Sequence, residues 1–213
     1  MTKVPRAPSL DHLKSRSPAI KNLPAGTRLW RIYIRSGAHP TRWSEFRYVG
    51  PLDNRFDHHA VTSDGRPSLQ EHGVLYAADH PTTCLAELYQ KTRTINRWYK
   101  EPWLVGLEIT ESLELLDLTG AFPTQSGASM GLMSTARSVS RRWAQGYYAA
   151  YPGLDGLYYP SSMHANQPAV ALNEHADARR VLPDHPLYHR ALHDPAMLSM
   201  LRNAARAVGY DLS

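Results

Sequence analysis

Apolar and polar residues alternate most clearly at residues 29–34, Leu-Trp-Arg-Ile-Tyr-Ile. Trp30, Ile32 and Ile34 fall on one face of an extended chain, and Arg31 and Tyr33 on the other. That pattern predicts a strand with an apolar face and a polar face free for use. Residues 35–72 carry scattered Gly, Pro, Asp, His and Arg and read as loop, long enough to be functional or to hold short elements. A short strand is expected at 74–77. A helix follows, with Asp79 as cap, Pro81 in the first turn, and Cys84, Leu85 and Leu88 as its apolar stripe. Strands are expected at 103–109, 113–118, 156–160 and 169–172. Residues 128–151 read as helix, with Met130, Met133, Ala136, Trp143 and Tyr147 turned inward. The last helix begins at Asp194-Pro195 and stops at Gly209. Helices and strands mix without a steady β-α-β rhythm, so the expected class is α+β in one domain spanning 25–213. Residues 1–24, rich in Pro, Lys, Arg and Ser, read as a mobile basic arm.

Composition narrows the setting. Hydrophobic residues make up 42% of the 213 and charged residues 20%, as in soluble globular proteins. No apolar run reaches the ~20 residues of a membrane helix, and the first residues lack the apolar core of a secretory signal. A single cysteine, Cys84, excludes an internal disulfide and a zinc knuckle. A cytoplasmic protein with no membrane partner is expected. The net charge of +5 favours acidic partners without choosing among them.

Several chemistries lack their motifs: no Gly-x-Gly-x-x-Gly, no P-loop, no Gly-x-Ser-x-Gly and no His-Glu-x-x-His occurs. The eleven histidines are dispersed, and His58-His59 is the one tight pair. Adjacent residues on an extended strand point apart, so the pair is a weak metal site and no metal is expected in the functional site.

Four segments stand out together: Leu29-Trp30-Arg31; Arg55-Phe56-Asp57; Val74-Leu75-Tyr76-Ala77-Ala78-Asp79 running into Thr83-Cys84-Leu85-Ala86-Glu87; and Asp155-Gly156-Leu157-Tyr158-Tyr159-Pro160-Ser161 running into Ala169-Val170-Ala171-Leu172. In this order and spacing they resemble the RES family, named for an arginine, a glutamate and a serine, over about residues 24–180. The resemblance implies a compact fold similar to the ADP-ribosyltransferase toxins. It further implies a toxin that consumes NAD⁺ as substrate, with no bound cofactor. The expected partner is a separate antitoxin of helix-turn-helix type, through which alone nucleic acid is met.

These residues make chemical sense in that role. Breaking the nicotinamide–ribose bond builds positive charge on the ribose, and Glu87 could stabilise it. As a surface residue, Glu87 would instead pair with Lys91 four positions on, for about 0.3–0.5 kcal/mol. Arg31 and Arg55 could clamp the pyrophosphate with their planar forks. Tyr76 could stack on nicotinamide or ribose, or be a core tyrosine. Ser161 could bond a ribose hydroxyl or orient Glu87; no motif places a histidine base beside it, so it is no nucleophile, and a turn serine is the plain alternative. Two positions depart from the family pattern: Ser162 where an arginine is common, and Asn54 where a glycine is common. Water, phosphate and a protein remain open as acceptors. A nucleic-acid-binding module and an idle, partner-binding relative are the competing readings.

Overall fold

The computed structural model describes residues 5–38 and 40–213. Its elements run α1 (Leu10–Lys14), β1 (Ile20–Leu23), β2 (Arg28–Ile34), β3 (Arg47–Gly50), β4 (Ser68–Ala78), α2 (Pro81–Leu88), β5 (Thr94–Ile95), β6 (Pro102–Glu108), β7 (Leu113–Asp117), α3 (Phe122–Gln125), α4 (Arg137–Ala150), β8 (Gly156–Pro160), β9 (Pro168–Asn173), α5 (Glu174–Ala178), β10 (Tyr188–Ala191), α6 (Leu198–Val208) and β11 (Asp211–Leu212). The α+β expectation holds.

The main sheet runs β1-β7-β8-β9-β4-β2-β6-β10, with β3 on the first half of β4. Every pair in it is antiparallel except β7 with β8. β2 pairs with β6 along its whole length, from Arg28 opposite Glu108 to Ile34 opposite Pro102. It meets β4 at one position, Trp30 opposite Ala78. The sheet therefore divides into two halves joined at a seam.

Strand alternation sorts side chains into separate cores around that seam. Leu75 and Ala77 of β4 pack with Leu29, Leu107 and Leu172. Tyr76 and Ala78 turn the other way, toward Trp143 and Tyr147 of α4. A third cluster joins Leu85 of α2 to Leu104, Leu201 and Ala205, with Trp30 and Ile32 packed against it. Two glycines permit close approaches: a Cβ on Gly156, at φ +154°, would lie 2.2 Å from the Ala171 carbonyl, and one on Gly106 would lie 2.9 Å from the Trp30 ring.

Four expectations need correcting. The arm is not free over residues 5–24; residues 1–4 lie outside the described residues. Ser9 caps α1, Leu13 is fully buried among α4 residues, and β1 adds an edge strand to β7. Trp143 Nε1 donates to the Pro5 carbonyl and the Tyr151 hydroxyl to that of Leu13. Elements this short have no periodicity to read and are stabilised by tertiary packing. The polar face of β2 is not open, since Leu29, Arg31 and Tyr33 are buried and Trp30 and Ile32 are half-buried. Both faces of this strand are covered, so alternation does not separate inside from outside.

Residues 128–151 are not one helix. A 3-10 turn, Met130–Met133, is separated from α4 by Ser134, Thr135 and Ala136, and Met130 and Ala136 are exposed. Finally, His80 rather than Asp79 caps α2, accepting from the Thr82 amide at 3.1 Å, and Leu88 is exposed.

Candidate active site

A cavity of about 190 Å³ opens at the seam, where β4, the end of β8 and α2 meet. Arg55, Tyr76, Glu87, Gln90 and Tyr159 line it, together with Ile32 from the half-covered face of β2. Three residues singled out in the sequence, Arg55, Tyr76 and Glu87, are thereby brought together from two separate segments.

Arg55 arrives on an irregular turn. Phe56 adopts φ 59°, a left-handed conformation costing about 1 kcal/mol, and its buried ring packs edge-on against Tyr159 at 4.9 Å between centroids. Arg55 Nη1 donates to the carbonyls of Leu132 and Thr135, both at 3.1 Å. These carbonyls lie at the end of the 3-10 turn and in the break before α4. Burial, with Arg137 nearby, lowers the Arg55 guanidinium to about 10, against the pull of Glu87. It stays charged at neutral pH. The Tyr76 hydroxyl donates to the Arg55 carbonyl at 2.9 Å, so the tyrosine fixes the arginine's backbone while forming part of the cavity wall.

Glu87 sits near the end of α2. Its Oε1 accepts from the Ser161 hydroxyl at 2.5 Å, and its Oε2 lies 3.4 Å from Gln90 Nε2. Ser161 is fully buried and accepts from the Met163 amide at 3.1 Å, which fixes its rotor. The serine stands behind the carboxylate as a positioning group. Lys91 pairs with Asp53, not with Glu87. Glu87 is therefore oriented by neutral donors and lacks an ion-pair partner among the described residues, so its charge remains available to a cationic ligand.

Arg31 lies elsewhere. It occupies the same face of β2 as Leu29, and its Nη1 donates to the carbonyls of Trp43 at 2.9 Å and Glu45 at 3.1 Å. Burial lowers its guanidinium to about 10. The geometry makes it a brace for residues 43–45, and it is not among the cavity-lining residues. Cys84 does line the cavity, but its thiol donates to the Trp30 carbonyl at 3.0 Å and burial pushes its ionisation up, so it is no reactive thiolate.

Several residues escaped the sequence reading. A second hollow of about 450 Å³ shares Arg55 and Gln90 with the cavity and adds Lys91, Arg93, Arg137 and Ser162. Arg137 Nη2 donates to Gln90 Oε1 at 2.5 Å. Gln90 follows Glu87 by three residues and was open to a helical-spacing argument. Arg137 carried no local signal, and Tyr159 lay within the quoted segment Asp155–Ser161 without a role assigned to it.

The model of the RES domain matches residues 28–192, from β2 through β10. This chain belongs to the RES family. All the cavity-lining residues fall within the matched span. Among solved structures, a chain in the crystal structure of the M. tuberculosis MbcT–MbcA toxin–antitoxin complex is similar in fold, with a TM-score of 0.53 and 16% identity over 91% of this RES protein and 96% of that chain. No curated protein matches the sequence.

Proposed function

We propose that this RES protein is a toxin that cleaves NAD⁺ at the nicotinamide–ribose bond. The observation that carries the reading is the Glu87 carboxylate, held by Ser161 without a cationic partner, in a cavity that Arg55 also lines. Nicotinamide leaves readily because its ring nitrogen is already cationic. The site therefore needs little acid catalysis. It needs to hold the dinucleotide and stabilise positive charge as it grows on the ribose. Glu87 supplies the stabilising charge, and Ser161 keeps it from rotating away. Tyr76 and Tyr159 offer ring surface to nicotinamide or ribose. Arg55 faces the phosphates, and the hollow with Arg93 and Arg137 extends that positive surface, Lys91 there being paired with Asp53. Arg137 offers a guanidinium in the hollow where Ser162 replaces the arginine common in the family pattern. NAD⁺ is the substrate and no resident cofactor is needed. A small nucleophile, water or phosphate, is the preferred acceptor, and transfer of ADP-ribose to a protein is the alternative.

The protein is read as cytoplasmic and restrained by a separate antitoxin of helix-turn-helix type, which alone would meet nucleic acid. The similar fold in a toxin–antitoxin complex supports such a partner. A partner surface that is acidic or ends in a carboxylate suits the arginines of the cavity and hollow.

Purified protein incubated with NAD⁺ is expected to release free nicotinamide. ADP-ribose beside it identifies hydrolysis, and ADP-ribose 1″-phosphate, formed only with inorganic phosphate present, identifies phosphorolysis. Intact NAD⁺ from folded, inhibitor-free protein would remove the enzyme reading. Arg55→Ala is expected to weaken NAD⁺ binding about 10-fold or more, through loss of a charge-assisted phosphate contact, with Lys rescuing only part because it lacks the fork. Calorimetry giving wild-type affinity for the alanine variant would place the phosphates elsewhere.

A further inference from the structure

Outside the cavity, ligand-type side chains from three separate stretches converge. His58 lies three residues after Arg55, His72 lies in the first half of β4, and Glu174 is the first residue of α5. One nitrogen from each ring and one carboxylate oxygen lie within 4.8 Å of one another, and no second group of this kind occurs among the described residues. His58 Nε2 is 2.9 Å from Glu174 Oε2, and His72 Nδ1 is 3.0 Å from Glu174 Oε1. Adjacent His59 turns away to Asp57, so the sequence pair does not act as a unit.

The cluster is held from behind. The Gly73 amide donates to Glu174 Oε2 at 3.2 Å, and Asn173 caps α5 while donating to the Leu154 carbonyl. The His58 ring is buried against Tyr148, 4.4 Å between centroids. In front of the cluster is a cavity of about 480 Å³, lined by His58, His72 and Glu174 and also by Gln145 and His175.

We propose that His58, His72 and Glu174 form a binding site for a divalent transition metal of the zinc type, with water from the adjoining cavity as fourth ligand. Two imidazoles and one carboxylate suit zinc; calcium and magnesium prefer oxygen ligands throughout. Ligand atoms around tetrahedral zinc sit about 3.3 Å apart, so three atoms already within 4.8 Å of one another need a modest adjustment, in which the two rings, now on different oxygens of Glu174, close around one ion. The Gly73 amide supplies the outer hydrogen bond that orients a metal-bound carboxylate. A metal here would tie the Arg55–His59 segment to β4 and α5. It would thereby support Arg55 without touching substrate.

The test uses tag-free, chelator-treated protein titrated with Zn²⁺ by calorimetry and with Co²⁺ by visible absorption. Binding of one equivalent, a tetrahedral Co²⁺ spectrum and a raised Tm are expected. His72 is half-exposed, so His72→Ala leaves the fold intact, and Glu174→Gln keeps the side-chain size. Each should weaken Zn²⁺ binding by about 100-fold or more, since each removes a metal ligand. His185→Ala, at an exposed position outside the cluster, should bind as wild type does. Wild-type affinity in either cluster variant overturns the proposal, as does the lack of a stoichiometric site tighter than about 10 µM in the wild type.

Discussion

Glu87→Gln is expected to lower nicotinamide release by about 100-fold or more while leaving the protein folded. The substitution keeps the shape of the side chain and one carbonyl oxygen to accept from Ser161, so the 2.5 Å contact behind Glu87 has a neutral counterpart. What disappears is the negative charge. NAD⁺ already carries a cationic ring before reaction, so part of the attraction acts on the ground state and would appear in KM. The larger part acts on the ribose cation, where charge develops during the step, and appears in kcat. A low-polarity wall of Tyr76, Ala78, Tyr159 and Ala169 makes that charge interaction stronger than it would be in water. Ser161→Ala separates positioning from charge. It removes the donor and leaves the carboxylate, so kcat should fall less than in Glu87→Gln. Initial rates across NAD⁺ concentrations, with circular dichroism to verify folding, check both. Wild-type kcat in folded Glu87→Gln would take the carboxylate out of the chemistry.

How much of this was legible in the sequence depended on whether the signal was local. The strand at residues 156–160 carries the sequence-derived bounds, and Gly209, at φ 68°, ends the last helix as its residue type suggested. Residues 35–72 were legible only as loop. The short β3 is four residues long with an irregular register, and the mostly polar first half of β4 has exposed positions that mask any apolar pattern. The meeting of Glu87 with Ser161, 74 residues apart, was beyond any periodicity argument and entered only through the family resemblance. Arg31 shows the opposite case. Its position in the first strand matched the family pattern, and its alternation with Trp30 and Ile32 suggested an open polar face. Residues 43–46 pack over that face, and Nη1 of the guanidinium donates to two backbone carbonyls there.

Asp57 carries the second large effect, and on stability. It belongs to the Arg-Phe-Asp segment, but Phe56 turns the chain so that Arg55 enters the cavity and Asp57 enters the interior. Its carboxylate is fully buried and accepts from Arg47 Nη2 and the Leu52 amide, both at 2.8 Å, and from His59 Nδ1 in a very short contact. Burial alone would raise its pKa, but the His59 hydrogen bond and the Arg47 charge outweigh it and hold the carboxyl below its ordinary value. Asp57→Asn keeps the volume and leaves the Arg47 guanidinium, only 10% exposed, without its counter-charge. Breaking a buried pair in this way costs about 3 kcal/mol or more. The sign with pH follows from the depressed pKa: the stability that Asp57 contributes is fully present above its unfolded value near about 4 and is lost as pH falls through the lower folded value. Urea unfolding should therefore show the variant about 3 kcal/mol less stable at pH 7 and the gap narrowing below about pH 4. A difference under about 1 kcal/mol at pH 7 would mean that solvent or a neighbouring group replaces the carboxylate, contrary to its burial.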